Sequence, residues 1–90
     1  MEKKVKEKEI NDLYELFVSL NSVEDCKYLL EDLCTYKEVE QMAERIRAAK
    51  LLMAGKTYQE VISQTDISSA TLSRISRCVQ YGKGYSKLLK

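Results

Sequence analysis

Val61-Ile62-Ser63-Gln64-Thr65-Asp66-Ile67-Ser68-Ser69-Ala70-Thr71-Leu72-Ser73-Arg74 reads as a short helix, a tight turn and the opening of a second helix. Thr57 stands before it with Glu60 at the third position onward, the spacing of a capping box, so the first helix is expected over 58–64. Residues 65–67 form the turn. Ser68 caps the second helix, which is expected to reach 81 before Gly82 and Gly84 break it. Two helices held steeply across a short turn make a helix-turn-helix. Such a turn asks for a residue that tolerates positive φ, and Asp66 occupies that place, aspartate being among the few non-glycine residues that visit the region. The hydrophobes fall where the two helices must meet: Val61 and Ile62 on the first, Ile67 in the turn, and Leu72, Ile75 and Val79 on the second.

The opposite face of the second helix is small and hydrogen-bonding. Ser68, Ser69, Ala70, Thr71 and Ser73 let a helix sit deep in a major groove ~12 Å wide, where hydroxyls reach base edges or phosphates and methyl groups touch thymine. Arg74 and Arg77 add cations for phosphate or guanine. Gln59 lies at the start of the first helix, a position suited to a phosphate-binding amide. These eight residues are the candidate DNA-contacting set. A helical hairpin that merely packs would account for the hydrophobes, but not for a Ser/Thr/Arg face that carries no acid.

Upstream, apolar residues recur at helical spacing. Ile10, Leu13, Tyr14 and Phe17 predict a helix over about 5–20, its charged first turns prone to fray. Ser22 offers an N-cap for a second helix with the stripe Val23, Cys26, Leu30 and Leu33. Thr35 with Glu38 opens a third, lined by Val39, Met42, Ala43, Ile46 and Ala49 and extended by Leu51, Leu52 and Met53. Gly55 fits the left-handed position that ends a helix. The last six residues are expected as a short helix or a tail.

Composition narrows the function classes. The chain has 90 residues, no proline and three glycines, which favours helices joined by short turns. So small a core is marginal alone, and dimerisation is the expected remedy. Net charge is +1, yet residues 1–40 hold six Lys against eleven Asp/Glu, and residues 41–90 hold nine Lys/Arg against three. The basic half suits nucleic acid. Cys26, Cys34 and Cys78 are odd in number, form no CxxC and have no histidine beside them, so neither a zinc site nor a disulfide framework is expected. No apolar run approaches the ~20 residues of a membrane span, and the charged start lacks a signal-peptide h-region. A cytoplasmic protein with no membrane partner is expected. Enzymatic activity is not expected, since there is no histidine, no glycine-rich phosphate loop and no base to activate Cys34 or Cys78.

Four segments, in order, carry a more specific likeness. Asp32-Leu33-Cys34-Thr35, Gly55-Lys56-Thr57-Tyr58, Ser69-Ala70-Thr71-Leu72-Ser73-Arg74 and Arg77-Cys78-Val79-Gln80-Tyr81-Gly82 resemble the YerC/YecD family, a branch of the tryptophan-repressor superfamily. The resemblance implies an all-α, intertwined homodimer that binds roughly palindromic double-stranded DNA through two helix-turn-helix motifs, with half-sites about one turn apart. It also implies an effector pocket. Arg45 and Arg74 match the two arginines that flank tryptophan in the repressor. Ile75 replaces the glycine that follows the second of them, and the turn is one residue shorter. L-Tryptophan is therefore not expected as the effector, and no cofactor is expected.

These readings converge on one all-α, Trp-repressor-like domain over 1–90. Residues 1–55 are expected to build the dimer core, 57–81 the helix-turn-helix and 82–90 a short C-terminal tail. The expected function is sequence-specific transcriptional regulation, as a repressor. The alternative is a protein-interaction module reusing the fold, with Leu51, Leu52 and Met53 as its contact surface.

Overall fold

The computed structural model describes residues 2–89. Every regular element among them is a helix: α1 (Glu2–Ser19), α2 (Val23–Leu33), α3 (Tyr36–Met53), α4 (Tyr58–Gln64), α5 (Ser69–Tyr81) and α6 (Gly84–Leu88). The chain forms two compact units, one ending at Thr35 and the other beginning at Tyr36.

The first unit holds α1 and α2. Helix α1 starts at Glu2, earlier than the expected 5. It lacks glycine and proline, and good helix formers fill it. Side-chain pairs one turn apart bridge its surface: Lys8 Nζ donates to Asp12 Oδ2 at 2.8 Å, and Asn11 Nδ2 donates to Glu15 Oε2 at 2.6 Å. The apolar stripe forms as expected but is not covered, with Ile10 49% and Phe17 45% exposed. Ser22 caps α2 by accepting the Asp25 amide at 3.0 Å. None of α2's residues is buried; Cys26, Leu29 and Leu30 are half-buried.

The second unit holds α3 to α6 and the core. Ala48, Ala49, Val61, Leu72 and Ile75 are buried, with Leu51, Leu52, Ile67, Val79, Tyr85 and Leu89 packed around them. Helices α3 and α5 make the main contact, and the two alanines explain it. A side chain that stops at Cβ lets the helix axes approach until Leu72 and Ile75 meet α3's backbone surface. Burying Leu72 fully removes it from water, worth about 1.5–3 kcal/mol. Of the stripe expected on α3, Ala49 is buried, but Met42 and Ile46 are 40% and 41% exposed. Leu51 and Leu52, considered as a surface for a partner, are instead half-buried against the core.

Gly55 ends α3 at φ +91°. Its amide donates to the Leu52 carbonyl and the Lys56 amide to the Leu51 carbonyl, the paired bonds of a Schellman motif. The segment expected as a tail folds back: α6 packs on α5, and Tyr85 and Leu89 join the core. Lys90, the last residue of that segment, lies outside the described residues. No described helix is long and apolar enough to cross a membrane, and the described residues hold no cluster of metal-ligating side chains. The free thiols Cys26, Cys34 and Cys78 are each half-buried.

Candidate nucleic-acid interface

Helix α4 is defined by its cap. The Glu60 amide donates to Thr57 Oγ1 at 3.2 Å, and the Thr57 amide donates to Glu60 Oε1 at 3.0 Å. Both halves of the capping box are therefore formed. The bond from the Thr57 backbone lowers the Glu60 carboxyl below the ordinary glutamate range, because a hydrogen-bonded carboxylate is favoured over the acid. Val61 is buried beneath this turn, whereas Ile62, expected to pack on the second helix, is 41% exposed. In so short a helix only one apolar position faces α5 and α3, and Val61 takes it.

The turn departs from expectation. No residue other than glycine has positive φ among the described residues, so Asp66 is not left-handed. Thr65 instead leaves α4 in an extended conformation, φ −135° and ψ 167°. Two side chains satisfy carbonyls at the helix end, a job that a left-handed turn would do with backbone. Thr65 Oγ1 donates to the Val61 carbonyl at 2.8 Å, and Arg47 on α3 donates to the Gln64 carbonyl at 2.8 Å.

Helix α5 then begins at Ser69, one residue after its cap. Ser68 Oγ accepts the Thr71 amide at 3.2 Å and donates to Thr71 Oγ1 at 3.1 Å. The helix is two-sided. Leu72, Ile75 and Ser76 are buried and Val79 half-buried; the Ser76 hydroxyl accepts from Gln80 Nε2 at 3.2 Å. Ser69, Ala70, Ser73, Arg74 and Arg77 are exposed, and Ala70, Ser73, Arg74 and Arg77 follow the three- and four-residue spacing of one face. Ser68 is exposed at the helix entry and Gln59 in the first turn of α4. Thr71 differs from the rest of the candidate set: it is half-buried and its hydroxyl is engaged by Ser68. Helix α5 carries no acidic residue, and the unit from Tyr36 onward has ten Lys/Arg against five Asp/Glu, a net of +5.

The two arginines of the expected effector pocket do come together. Arg45 and Arg74 line one open cleft of about 400 Å³, floored by Ile75 and Cys78 and closed at one end by Gly82 to Tyr85. Lys83 is a third cation on its rim and Tyr85 an aromatic wall. Neither was anticipated, because the sequence gives no sign that α6 turns back onto α5. Arg47 was missed as well, since its bond to residue 64 spans 17 positions and no local pattern encodes it.

The family profile for Trp repressor protein matches residues 8–90. The chain belongs to the Trp repressor protein family. Within it the chain is 38% identical over 79 residues to the uncharacterized protein YerC of Bacillus subtilis, a span covering 88% of this chain and 76% of that one. Two solved structures share the fold. One is a candidate Trp repressor from Staphylococcus aureus, with TM-score 0.86, 30% identity, and coverage of 97% of this chain and 88% of that one. The other is a TrpR-like protein from Eubacterium eligens, with TM-score 0.86, 31% identity, and coverage of 97% and 91%. The expected all-α, Trp-repressor-like fold and the YerC-type kinship are thus both found.

Proposed function

We propose that this member of the Trp repressor family is a sequence-specific DNA-binding transcriptional regulator that acts as a homodimer, with α5 as the recognition helix. One observation carries the reading: α5 has a buried apolar side and an exposed side of Ser, Ala and Arg with no acid. A helix that only had to pack would gain nothing from such a face. The net charge of +5 on its unit supplies the attraction to phosphate. Gln59, Ser68, Ser69, Ala70, Ser73, Arg74 and Arg77 make the contacts. Thr71 contributes by holding the helix entry through Ser68 and presenting its methyl group.

The dimer is supported by apolar side chains that no other part of the chain covers, among them Ile10, Leu13 and Phe17 on α1 and Met42 and Ile46 on α3. So much exposed apolar surface is a hallmark of an unfilled interface. L-Tryptophan is not the ligand in this reading. The branched Ile75 side chain and the Tyr85 ring already line the cleft between Arg45 and Arg74.

Selection from random duplex DNA by the purified protein tests the proposal. A palindrome with half-sites about one turn apart, bound with an affinity that falls steeply with salt, is the expected result. Absence of enrichment, or a salt-independent affinity, would reject it in favour of a protein-interaction role.

A further inference from the structure

We infer that Arg47, a residue on α3 outside the recognition motif, is a positioning residue for DNA binding. It fixes the end of α4 and thereby the turn that launches α5. The inference rests on the DNA-binding reading for its functional consequence and on the geometry of α3, α4 and the turn for its structural one.

The last carbonyls of a helix point outward without intrahelical partners and carry the negative end of the helix dipole. In α4 that end is exposed to competition from water, because α4 has only seven residues. The chain supplies no left-handed residue to fold the backbone over it. What it supplies instead is the Arg47 guanidinium, which donates to the Gln64 carbonyl at 2.8 Å from a different helix. Glu44, one turn earlier on α3, lies 4.0 Å from the same guanidinium nitrogen and biases the side chain toward that position. A cation at a helix C-terminus combines a charge-assisted hydrogen bond with favourable dipole interaction. Thr65 closes a second carbonyl, that of Val61, from the other side of the exit. The segment between α4 and α5 is thus held by α3 rather than by its own backbone conformation. Loss of Arg47 leaves the core intact, since its side chain is 55% exposed. It frees the α4 end to fray and lets α5 approach DNA in a range of orientations.

An exposed arginine in a basic unit has another evident use, a direct phosphate contact, and the two roles separate in experiment. Arg47→Met keeps length and apolar stem but removes the donor; Arg47→Lys restores a cationic donor. Two readouts are taken on the full-length protein: amide hydrogen exchange, and DNA affinity as a function of salt on a selected duplex. For Arg47→Met the expected results are faster exchange across Ile62–Gln64, unchanged exchange across Leu72–Val79, and affinity lower by about five- to ten-fold. The slope of affinity against salt should stay as in the wild type, and Arg47→Lys should recover both exchange and part of the affinity. Unchanged exchange in Arg47→Met overturns the positioning role. So does a salt slope reduced by about 0.9, the signature of one lost phosphate contact. If the wild-type protein binds no DNA, the exchange measurement still decides whether Arg47 holds the turn, and only the functional reading fails.

Discussion

A Cβ placed on Gly82 would lie 2.6 Å from the carbonyl oxygen of Cys78, one helical turn back. The same oxygen accepts the Gly82 amide at 2.8 Å as α5 ends. The chain passes so close over the last turn of α5 that only a residue without a side chain fits, and backbone cannot give way as a flexible side chain would. Gly82→Ala should lower stability by about 1–3 kcal/mol and loosen α6 from the core. Gly84 has nothing within 4 Å of its Cβ position and sits at the first residue of α6. Gly84→Ala should therefore be neutral or stabilising by about 0.5–1 kcal/mol. Denaturant midpoints of the pair check the assignment, and equal midpoints would show that the turn at 82 relaxes freely.

Leu72 and Val61 are the largest fully buried side chains. Leu72→Ala removes three carbons from the seam between α3 and α5 and should cost about 2–5 kcal/mol. Two alanines already line the opposite side of that seam, so it has little bulk with which to collapse into the void. A loss under about 1 kcal/mol in chemical denaturation would mean that α5 shifts to fill it.

Arg77 tests the proposed recognition face without touching the fold. It is exposed on α5, one turn beyond Arg74. Arg77→Ala should leave the melting temperature unchanged and weaken DNA binding. If its partner is a phosphate, the salt slope should fall by about 0.9. An unaltered affinity would place Arg77 outside the interface.

The capping box gives α4 a pH dependence. Glu60 is hydrogen-bonded as a carboxylate, and its folded titration point lies below the ordinary 4.5. Its contribution is therefore complete above about 4.5 and is lost as pH falls through the lower folded value. Glu60→Gln keeps an acceptor for the Thr57 amide but cannot titrate. Melting curves between neutral pH and about pH 3 should show a smaller acid loss in Glu60→Gln than in the wild type. Parallel losses would remove Glu60 as a contributor.

The parts of this fold that were legible in the sequence are those with local causes. Thr57, Glu60 and Ser68 place the bounds of α4 and the start of α5 because a cap acts over three residues. The inward stripe Leu72, Ile75, Val79 follows from helical periodicity alone. What was illegible depends on contacts distant in sequence. Asp66 was assigned positive φ on turn chemistry, but a helix end can be satisfied by a donor from elsewhere, and Arg47 is that donor. Ile62 and Val61 are adjacent and similarly apolar, and only the approach of α3 decides which is covered. Ala48 drew no notice because alanine suits any helix position, yet its smallness sets the closest helix contact. On the candidate interface, residue types identified the exposed face of α5, but the engagement of Thr71 by Ser68 needed coordinates.

The placement of the cysteines has a practical consequence. Cys26 and Cys34 belong to the unit ending at Thr35, and Cys78 to the unit beginning at Tyr36. Each is half-buried, so a thiol reagent meets it fully only when its surroundings open. The natural chain is thus already labelled for a protection experiment: alkylation resolved by peptide mass would report the opening of both units in one sample. Partner binding that closed over α1 and α2 would slow Cys26 and Cys34 while leaving Cys78 at its own rate, and occupation of the cleft beside α5 would do the reverse.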